Sequence, residues 1–354
     1  GMYNFDITKK TLHVLPPHHT FGSTVNYVGH LSQGCEVYIS SGIKHVSDEI
    51  REQQPTHLIL VPAFLEVMNK KIWAAARKGG KEGLLKGMMA LSNFLRKFGI
   101  DIRRTLFKSV LKPFGGKLEM IICGGAKLDE DIIRTFDSIG ITVLNGYGIT
   151  ECAPLISANR NKYQKPGSVG TPILACRVKI DNPDENGEGE ICVKGPNVML
   201  GYYKDPVRTK SVFTEDGWFR TSDIAVQDEK GRFYIKGRNN NMILGPSGEN
   251  IYPEEIENVV NNIEGVSESI IVERNGKLVA LVQPSENFIQ WDNESEDRLY
   301  EKLDGWKEKI LSFTNKNVNK SSQVSSVEVM KEPFEKTATQ KIRRFKYKET
   351  APTV

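Results

Sequence analysis

"ITVLNGYGITE", Ile141 to Glu151, is the stretch on which the reading of the whole chain turns. Ile141, Val143 and Leu144 are apolar and mostly β-branched, the texture of a buried strand. The chain then breaks at Asn145-Gly146-Tyr147-Gly148 and ends in Thr150-Glu151. Two glycines after a strand resemble a phosphate-binding turn, but Glu151 stands where G-x-G-x-x-G needs its third glycine. A carboxylate there would repel a bound anion unless a cation lay between them. Immediately upstream, "KLEMIICGGA" (117–126) and "DEDIIRTFDSIG" (129–140) read as a strand and a helix. The three pieces together read as one parallel strand–helix–strand unit.

The bulk numbers narrow the class. At roughly 150 residues per domain, 354 residues suggest two domains. Hydrophobic content of 39% and charged content of 26% are those of a water-soluble globular chain. A net charge of +4 is too small to imply nucleic acid, and none is expected as a partner. Cys35, Cys123, Cys152, Cys176 and Cys192 are scattered and never spaced C-x-x-C. That pattern favours free thiols in a reducing cytoplasm over disulfides or zinc. No apolar run reaches the ~20 residues needed to span a bilayer. The longest, "HLILVPAFL" (57–65), is broken by Pro62. No signal peptide is evident.

Residues 1–165 alternate strand-like pieces ("LHVLP", "CEVYIS", "HLILVP") with helical ones, the texture of an α/β subdomain. Within it, 66–112 looks helical and strongly basic. Thirteen Lys and Arg lie from Lys70 to Lys117, opposed only by Glu82 and Asp101. Residues 166–236 change texture: "RVKID", "GEICVKG", "FRTSDIAVQD" and "RFYIKG" are short strands between polar turns, expected to form a small antiparallel β-barrel or sheet. Residues 237–354 read as a compact α+β module. Its helix starts at "YPEEIENVV", with Pro253 in the first turn and glutamates at the N-terminal end. The boundary is placed at Gly237 to Asn241.

Seven motifs occur in a fixed order: "LPPHHTFG" (15–22), "CGGAKL" (123–128), "NGYGITE" (145–151), "GEICVKGPNVMLGYY" (189–203), "WFRTSD" (218–223), "GRNNNMILGPSGENIYPEEIE" (237–257) and "EKTATQKIRR" (335–344). In this order they resemble the adenylate-forming superfamily: acyl-CoA synthetases, luciferases and peptide-synthetase adenylation domains. The wording "GPNVMLGYYKDP" and "GENIYPEEIE", with the basic insert, is most similar to the long-chain acyl-CoA synthetases. The resemblance implies a large α/β domain with a small β-barrel subdomain, followed by a mobile C-terminal α+β domain. It also implies activation of a carboxylate with ATP, release of AMP, and transfer of the acyl group to coenzyme A, with a medium- or long-chain fatty acid as the substrate class.

Each motif has a physical reading beside the implied one. Tyr147, flanked by Gly146 and Gly148, can offer its ring to a purine while the backbone approaches closely. Asn145 offers an amide to the base edge, and Gly124, Gly125 and Ala126 leave room beside it. Thr150 and Glu151 supply hard oxygens suited to Mg²⁺ held on phosphates, the cation that the opening stretch calls for. Asp223 suits a carboxylate accepting from both ribose hydroxyls; otherwise it is a turn aspartate. The resemblance assigns Arg238 to ribose and α-phosphate contact, and His19 to the acyl pocket, against the bland readings of surface arginine and packed core histidine. It makes Lys341 the lysine bridging carboxylate and α-phosphate, where a fixed ammonium stabilises the charge that develops on phosphorus. The bland alternative is a solvated lysine in the run Lys336, Lys341, Arg343, Arg344. Gly248 matches a glycine near the pantetheine arm of CoA. Two departures stand out: Gln340 replaces the usual glycine before the lysine, and Asn240 replaces the usual lysine or aspartate at the pivot between domains.

The family's Ser/Thr-rich phosphate loop should precede "LPPHHTFG" by several tens of residues and is not found. "SSGIKH" (40–45) lacks its Thr-Thr-Gly core, lies on the wrong side of the histidine motif, and reads as a turn. The chain therefore resembles about the C-terminal two-thirds of such a synthetase, with a missing N-terminal half as an implied partner. Two functions stay open: an acyl-CoA ligase that is truncated or split, and a non-catalytic AMP- or acyl-binding module. The basic segment 70–112 is read either as a contact with an anionic membrane at the inner face or as a solvated helical face with acidic partners elsewhere.

Overall fold

The computed structural model describes residues 8–160, 164–245, 249–285, 288–289, 296–336 and 342–347. The chain divides into two compact units: Gly1–Thr221 with Ala225–Ile235, and Ser222–Ile224 with Lys236–Val354.

The first unit is organised by a seven-stranded sheet. Its strands are β1 (Lys10–His13), β2 (Glu36–Ile39), β3 (His57–Leu60), β4 (Met120–Cys123), β5 (Thr142–Gly148), β6 (Leu155–Ala158) and β7 (Thr171–Pro172), in the order β2-β1-β3-β4-β5-β6-β7. The pairings from β2 across to β5 are parallel, and those of β6 with β5 and β7 are antiparallel. "HLIL" and "MIIC" are buried throughout because helices cover both faces, as parallel strands require. Leu12, Leu58, Leu60, Ile121 and Val143 point to one core; Leu15, Ile59, Ile122 and Leu144 point to the other, with Phe21.

The first face carries α1 (Val46–Gln53), α2 (Pro62–Lys78), α3 (Glu82–Arg96) and α4 (Glu130–Ser138). Pro62 starts α2 where a missing N–H costs nothing. Asp129 caps α4 by accepting from the Asp131 amide at 2.7 Å. The second face carries a π-helical segment, Phe21–Val28, continuing into Gly29–Ser32.

"SSGIKH" is a turn with a structural task. Glu49 of α1 accepts from Ser40 Oγ at 2.5 Å, Ser41 Oγ at 2.6 Å and the Ser41 amide at 2.9 Å. The basic segment is partly neutralised within the unit. Asp137 of α4 pairs with Arg96 at 2.6 Å and with Arg103 at 3.1 Å, and Arg103 holds the Asp101 carboxyl down to about 2. Arg104 donates to the Leu118 and Gly116 carbonyls. The remaining surface is not purely polar: Leu84, Leu91, Phe94 and Phe98 lie exposed along α3 and just beyond it. No helix among the described residues is long and apolar enough to cross a membrane.

Downstream, β8 (Arg177–Asp181), β9 (Gly189–Lys194), β10 (Phe219–Gln227) and β11 (Phe233–Arg238) form a four-stranded sheet in the order β11-β10-β9-β8. Its core of Ile191, Val193, Phe219 and Ala225 is shared with Cys152 and Ile156.

The second unit packs α5 (Pro253–Asn261) and α6 (Glu296–Asn317) on a three-stranded sheet of β14 (Val266–Arg274), β15 (Lys277–Pro284) and β16 (Ser326–Val329). Two short strands, β12 (Ile243–Leu244) and β13 (Asn250–Ile251), pair antiparallel before α5. Ile270, Val272, Val279 and Leu281 face the other way, onto Phe334 and Tyr347. Arg344 is not part of a solvated basic tail. It forks onto both carboxylate oxygens of buried Glu257, which also accepts from the Ile271 amide at 2.7 Å. Burial pushes the Glu257 carboxyl up, and the arginine and amide pull against it. Removing one partner leaves a buried charge alone. Arg344→Ala is therefore expected to cost about 3–5 kcal/mol in urea unfolding of the chain, while Glu257→Leu/Arg344→Met recovers most of it. Equal losses in the two variants would show that the ion pair itself carries the stability.

Candidate nucleotide and acyl-activation site

The parallel register sets Cys123 beside Asn145. The two glycine-containing turns therefore leave the sheet side by side, at the carboxyl ends of adjacent strands, where open α/β sheets place their ligands. Gly124 is buried between them. A Cβ there would stand 3.2 Å from the Gly146 carbonyl oxygen and 3.3 Å from the Phe21 ring. Gly125 has φ +90°, which favours glycine, and Ala126 follows it exposed. Gly148 has no alternative: a Cβ would lie 2.0 Å from the Pro154 carbonyl oxygen.

Asn145 is 5% exposed, and its Oδ1 has no hydrogen-bond partner among the described residues. Buried acceptors are seldom left so. The planar amide thus keeps a free acceptor at the junction of two glycine-containing turns, a setting that fits the amino group of a purine. Tyr147 is half-buried, its ring packed beside Cys152 and Ile156.

Thr150 and Glu151 sit in a tight turn, Thr150 exposed and Glu151 half-buried. Glu151 is held by a segment that sequence reasoning quoted without giving it a role. Its backbone carbonyl accepts from the Met199 amide at 2.8 Å, and its Oε1 accepts from the Tyr202 hydroxyl at 3.0 Å. Burial and the neighbouring Glu151 push the Tyr202 phenol up, so it remains a donor. Arg208 lies 4.4 Å from the Tyr202 ring centroid. Asn197 donates to the Cys152 and Leu155 carbonyls at 3.2 and 3.1 Å, closing the turn that follows Glu151. Tyr202 and Asn197 were legible only as letters of "GPNVMLGYY"; their partners lie 42 to 51 positions away. Cys152, beside Glu151, is fully buried and its thiol is pushed up to about 12, so it is no nucleophile.

His19 is half-buried and its Nδ1 accepts from the Phe21 amide at 3.2 Å. In the neutral ring the proton is thereby placed on Nε2. His18 is exposed. In the second unit, Asp223 is 5% exposed and pairs with Arg238 Nε at 3.2 Å; half of the Arg238 side chain remains open. Gly237 lets this strand end pack on Tyr252, where a Cβ would come within 2.9 Å of the ring. Asn240 lies exposed in the turn Asn239–Asn241 that follows. Gly248 and Lys341 lie outside the described residues. Lys336 and Ile342 pair with one another, and Lys336 also bridges Glu268 at 2.7 Å. Among the described residues no group of three or more His, Cys, Asp or Glu could hold a metal by itself. A hard cation near Glu151 would draw its other oxygens from a phosphate. All five cysteines are free.

Comparison with known proteins gives these residues a family. The chain is 32% identical to long-chain-fatty-acid–CoA ligase 5 of Rattus norvegicus over 262 residues, covering 70% of this chain and 38% of the rat protein. It is 48% identical to the long-chain-fatty-acid–CoA ligase of Salmonella typhimurium over 177 residues, covering 46% of this chain and 31% of that one. It thus spans about a third of the length of these relatives. Among solved structures, O-succinylbenzoate coenzyme A synthetase from Bacillus subtilis, in complex with AMP, superimposes with a TM-score of 0.69 at 21% identity, over 99% of this chain and 63% of that one. ATP-bound MatB from Rhodopseudomonas palustris gives 0.67 at 23% identity, over 98% of this chain and 61% of that one. Those two show a shared fold. The family model for AMP-binding enzymes matches residues 2–203, more than half of the chain, which therefore belongs to the adenylate-forming AMP-binding enzymes and is similar to their long-chain acyl-CoA synthetases.

Proposed function

We propose that this chain is the carboxylate-activating part of an ATP-dependent acyl-CoA ligase acting on a medium- or long-chain fatty acid. The observation that carries the reading is the buried Asn145 Oδ1, without a hydrogen-bond partner among the described residues, between two turns whose glycines at 124 and 148 leave little or no room for a Cβ. In the reaction a carboxylate oxygen attacks the α-phosphorus of ATP and pyrophosphate leaves. The sulfur of CoA then attacks the acyl carbon and AMP leaves. Asn145, with Gly124, Gly125, Ala126, Gly146, Tyr147 and Gly148, forms the adenine site. Asp223 accepts from the ribose hydroxyls, and Arg238, its ion-pair partner at 3.2 Å, contacts ribose and α-phosphate. Thr150 and Glu151 would hold Mg²⁺, which neutralises phosphate charge when bound. His19, with its proton on Nε2, donates toward the acyl carboxylate. Lys341 and Gly248 keep the roles of phosphate-bridging cation and pantetheine contact. Free thiols throughout fit a cytoplasmic protein.

A second part of the reading is contact with an anionic membrane. Leu84, Leu91, Phe94 and Phe98 recur at helical spacing on the exposed side of the basic segment, the pattern of an interfacial helix.

Three outcomes test this reading. Calorimetric titration of the chain with AMP, ATP and a non-hydrolysable acyl-adenylate mimic in Mg²⁺ should show binding of AMP and the mimic, weakened at least tenfold in Asp223→Ala. Binding unchanged in that variant, or absent for all three ligands, would sink the nucleotide site. Nucleotide binding without acyl-adenylate formation would favour the non-catalytic binding module or one half of a split synthetase. Tyr202→Phe, which frees the Glu151 carboxylate, should weaken Mg²⁺-dependent ATP binding about tenfold and leave AMP binding unchanged, a size set by a hydrogen bond to a charged group. Vesicles containing phosphatidylglycerol should float the chain and neutral vesicles should not, and Leu91→Ser/Phe94→Ser should abolish flotation; recovery independent of lipid charge would exclude the membrane contact.

A further inference from the structure

On the first face of the seven-stranded sheet the helices do not close on one another. A cavity of about 1070 Å³ lies among α1, α2, α3 and the residues around Phe114. Small-molecule sites occupy roughly 300–1,000 Å³, so this space is at the top of the range. Its walls are apolar, mostly aliphatic: Val46, Ile50, Leu60, Met68, Ile72 and Leu85, with Phe64 and Phe114. It is not the space onto which the glycine turns open. Leu60 belongs to the core of the helical face, whereas Phe21, which Gly124 approaches, belongs to the core of the opposite face.

The charge at its edge is one-sided. Lys44, Arg51, Lys71 and Lys81 line it, and no aspartate or glutamate does. Arg51 is paired with Asp48, and Lys71 donates to Ser47 Oγ at 3.4 Å. Neither Lys44 nor Lys81 forms an ion pair with a carboxylate among the described residues. An apolar interior with a purely cationic edge selects an amphiphile with an anionic head: alkyl chain inward, head among the lysines.

We propose that this cavity is a second acyl-chain site, separate from the activation site, and that its ligand is a free long-chain fatty carboxylate. The inference stands on the cavity and its charge, and does not need the ligase reading to hold.

Calorimetric titration of the chain with dodecanoate below its micellar concentration tests it. Saturable binding is expected, falling about fourfold for each methylene removed in a series down to octanoate. Dodecyltrimethylammonium, of equal chain length and opposite charge, should bind at least tenfold more weakly. Val67 lines the cavity and is 52% exposed, so Val67→Asp should fold normally and weaken dodecanoate at least tenfold without altering AMP binding. Lys44→Glu/Lys81→Glu, at two exposed side chains, should do the same. Unchanged dodecanoate affinity in both variants, equal binding of the cationic amphiphile, or displacement of dodecanoate by the acyl-adenylate mimic would overturn the proposal. So would binding of dodecanoyl-CoA without dodecanoate, which would give the cavity to the thioester. Loss of AMP binding in the wild-type chain would count against the ligase reading alone.

Discussion

The pairing of β4 with β5 is the constraint on which the first unit's chemistry rests. Because Cys123 lies beside Asn145, two chain reversals that are 22 residues apart emerge together. Neither turn could approach the other with ordinary side chains. Gly124 meets Gly146 and Phe21 at close quarters, and Gly148 meets Pro154 closer still. The parallel sheet supplies the rigidity, the glycines supply the access, and the buried amide of Asn145 supplies one unspent acceptor. A shift of one residue in that register would turn every one of these groups to the other face.

The second dependence runs through Glu151. A carboxylate on a short turn would sweep a wide arc in water. Here the Met199 amide fixes its backbone, the Tyr202 hydroxyl fixes one oxygen, and Asn197 ties down the residues that follow. All three donors come from one stretch, "NVMLGYY", so a segment without a charged side chain acts as a clasp. Tyr202 is a positioning residue in this sense: it touches Glu151 and leaves the second carboxylate oxygen available.

The legible part of the sequence was the part carried by local pattern. The parallel strand–helix–strand unit at 117–148, the helix that begins at Pro253 and the turn at Ser40–Ser41 all follow from periodicity and from residues whose preference is intrinsic. What stayed hidden depends on distant partners. Arg344 looks like one cation in a basic run, and only folding brings Glu257, 87 positions away, beneath it. Asp137 answers Arg96 and Arg103 from another helix, so part of the charge that seemed offered to a membrane is spent inside the unit. Tyr202 and Asn197 were visible as motif letters without a function. The cavity beneath α2 had no sequence signal at all, since it is a space left between helices, and its wall residues read simply as core.

The basic segment shows how one composition can serve two ends. Arg96, Arg103 and Arg104 are spent on Asp137 and on backbone carbonyls, holding the insert against α4 and the sheet. Arginine suits this because its planar fork can satisfy several acceptors at once. Lysines predominate at the cavity edge: Lys44, Lys71 and Lys81, with Arg51 already engaged by Asp48. A flexible ammonium keeps its hydration and moves to meet a head group, which is what a site for ligands of varying length requires. Arginine that builds and lysine that waits is a division of labour visible only once the partners are known. It explains how thirteen cations can crowd a stretch of the chain while several of them are held by partners inside the unit.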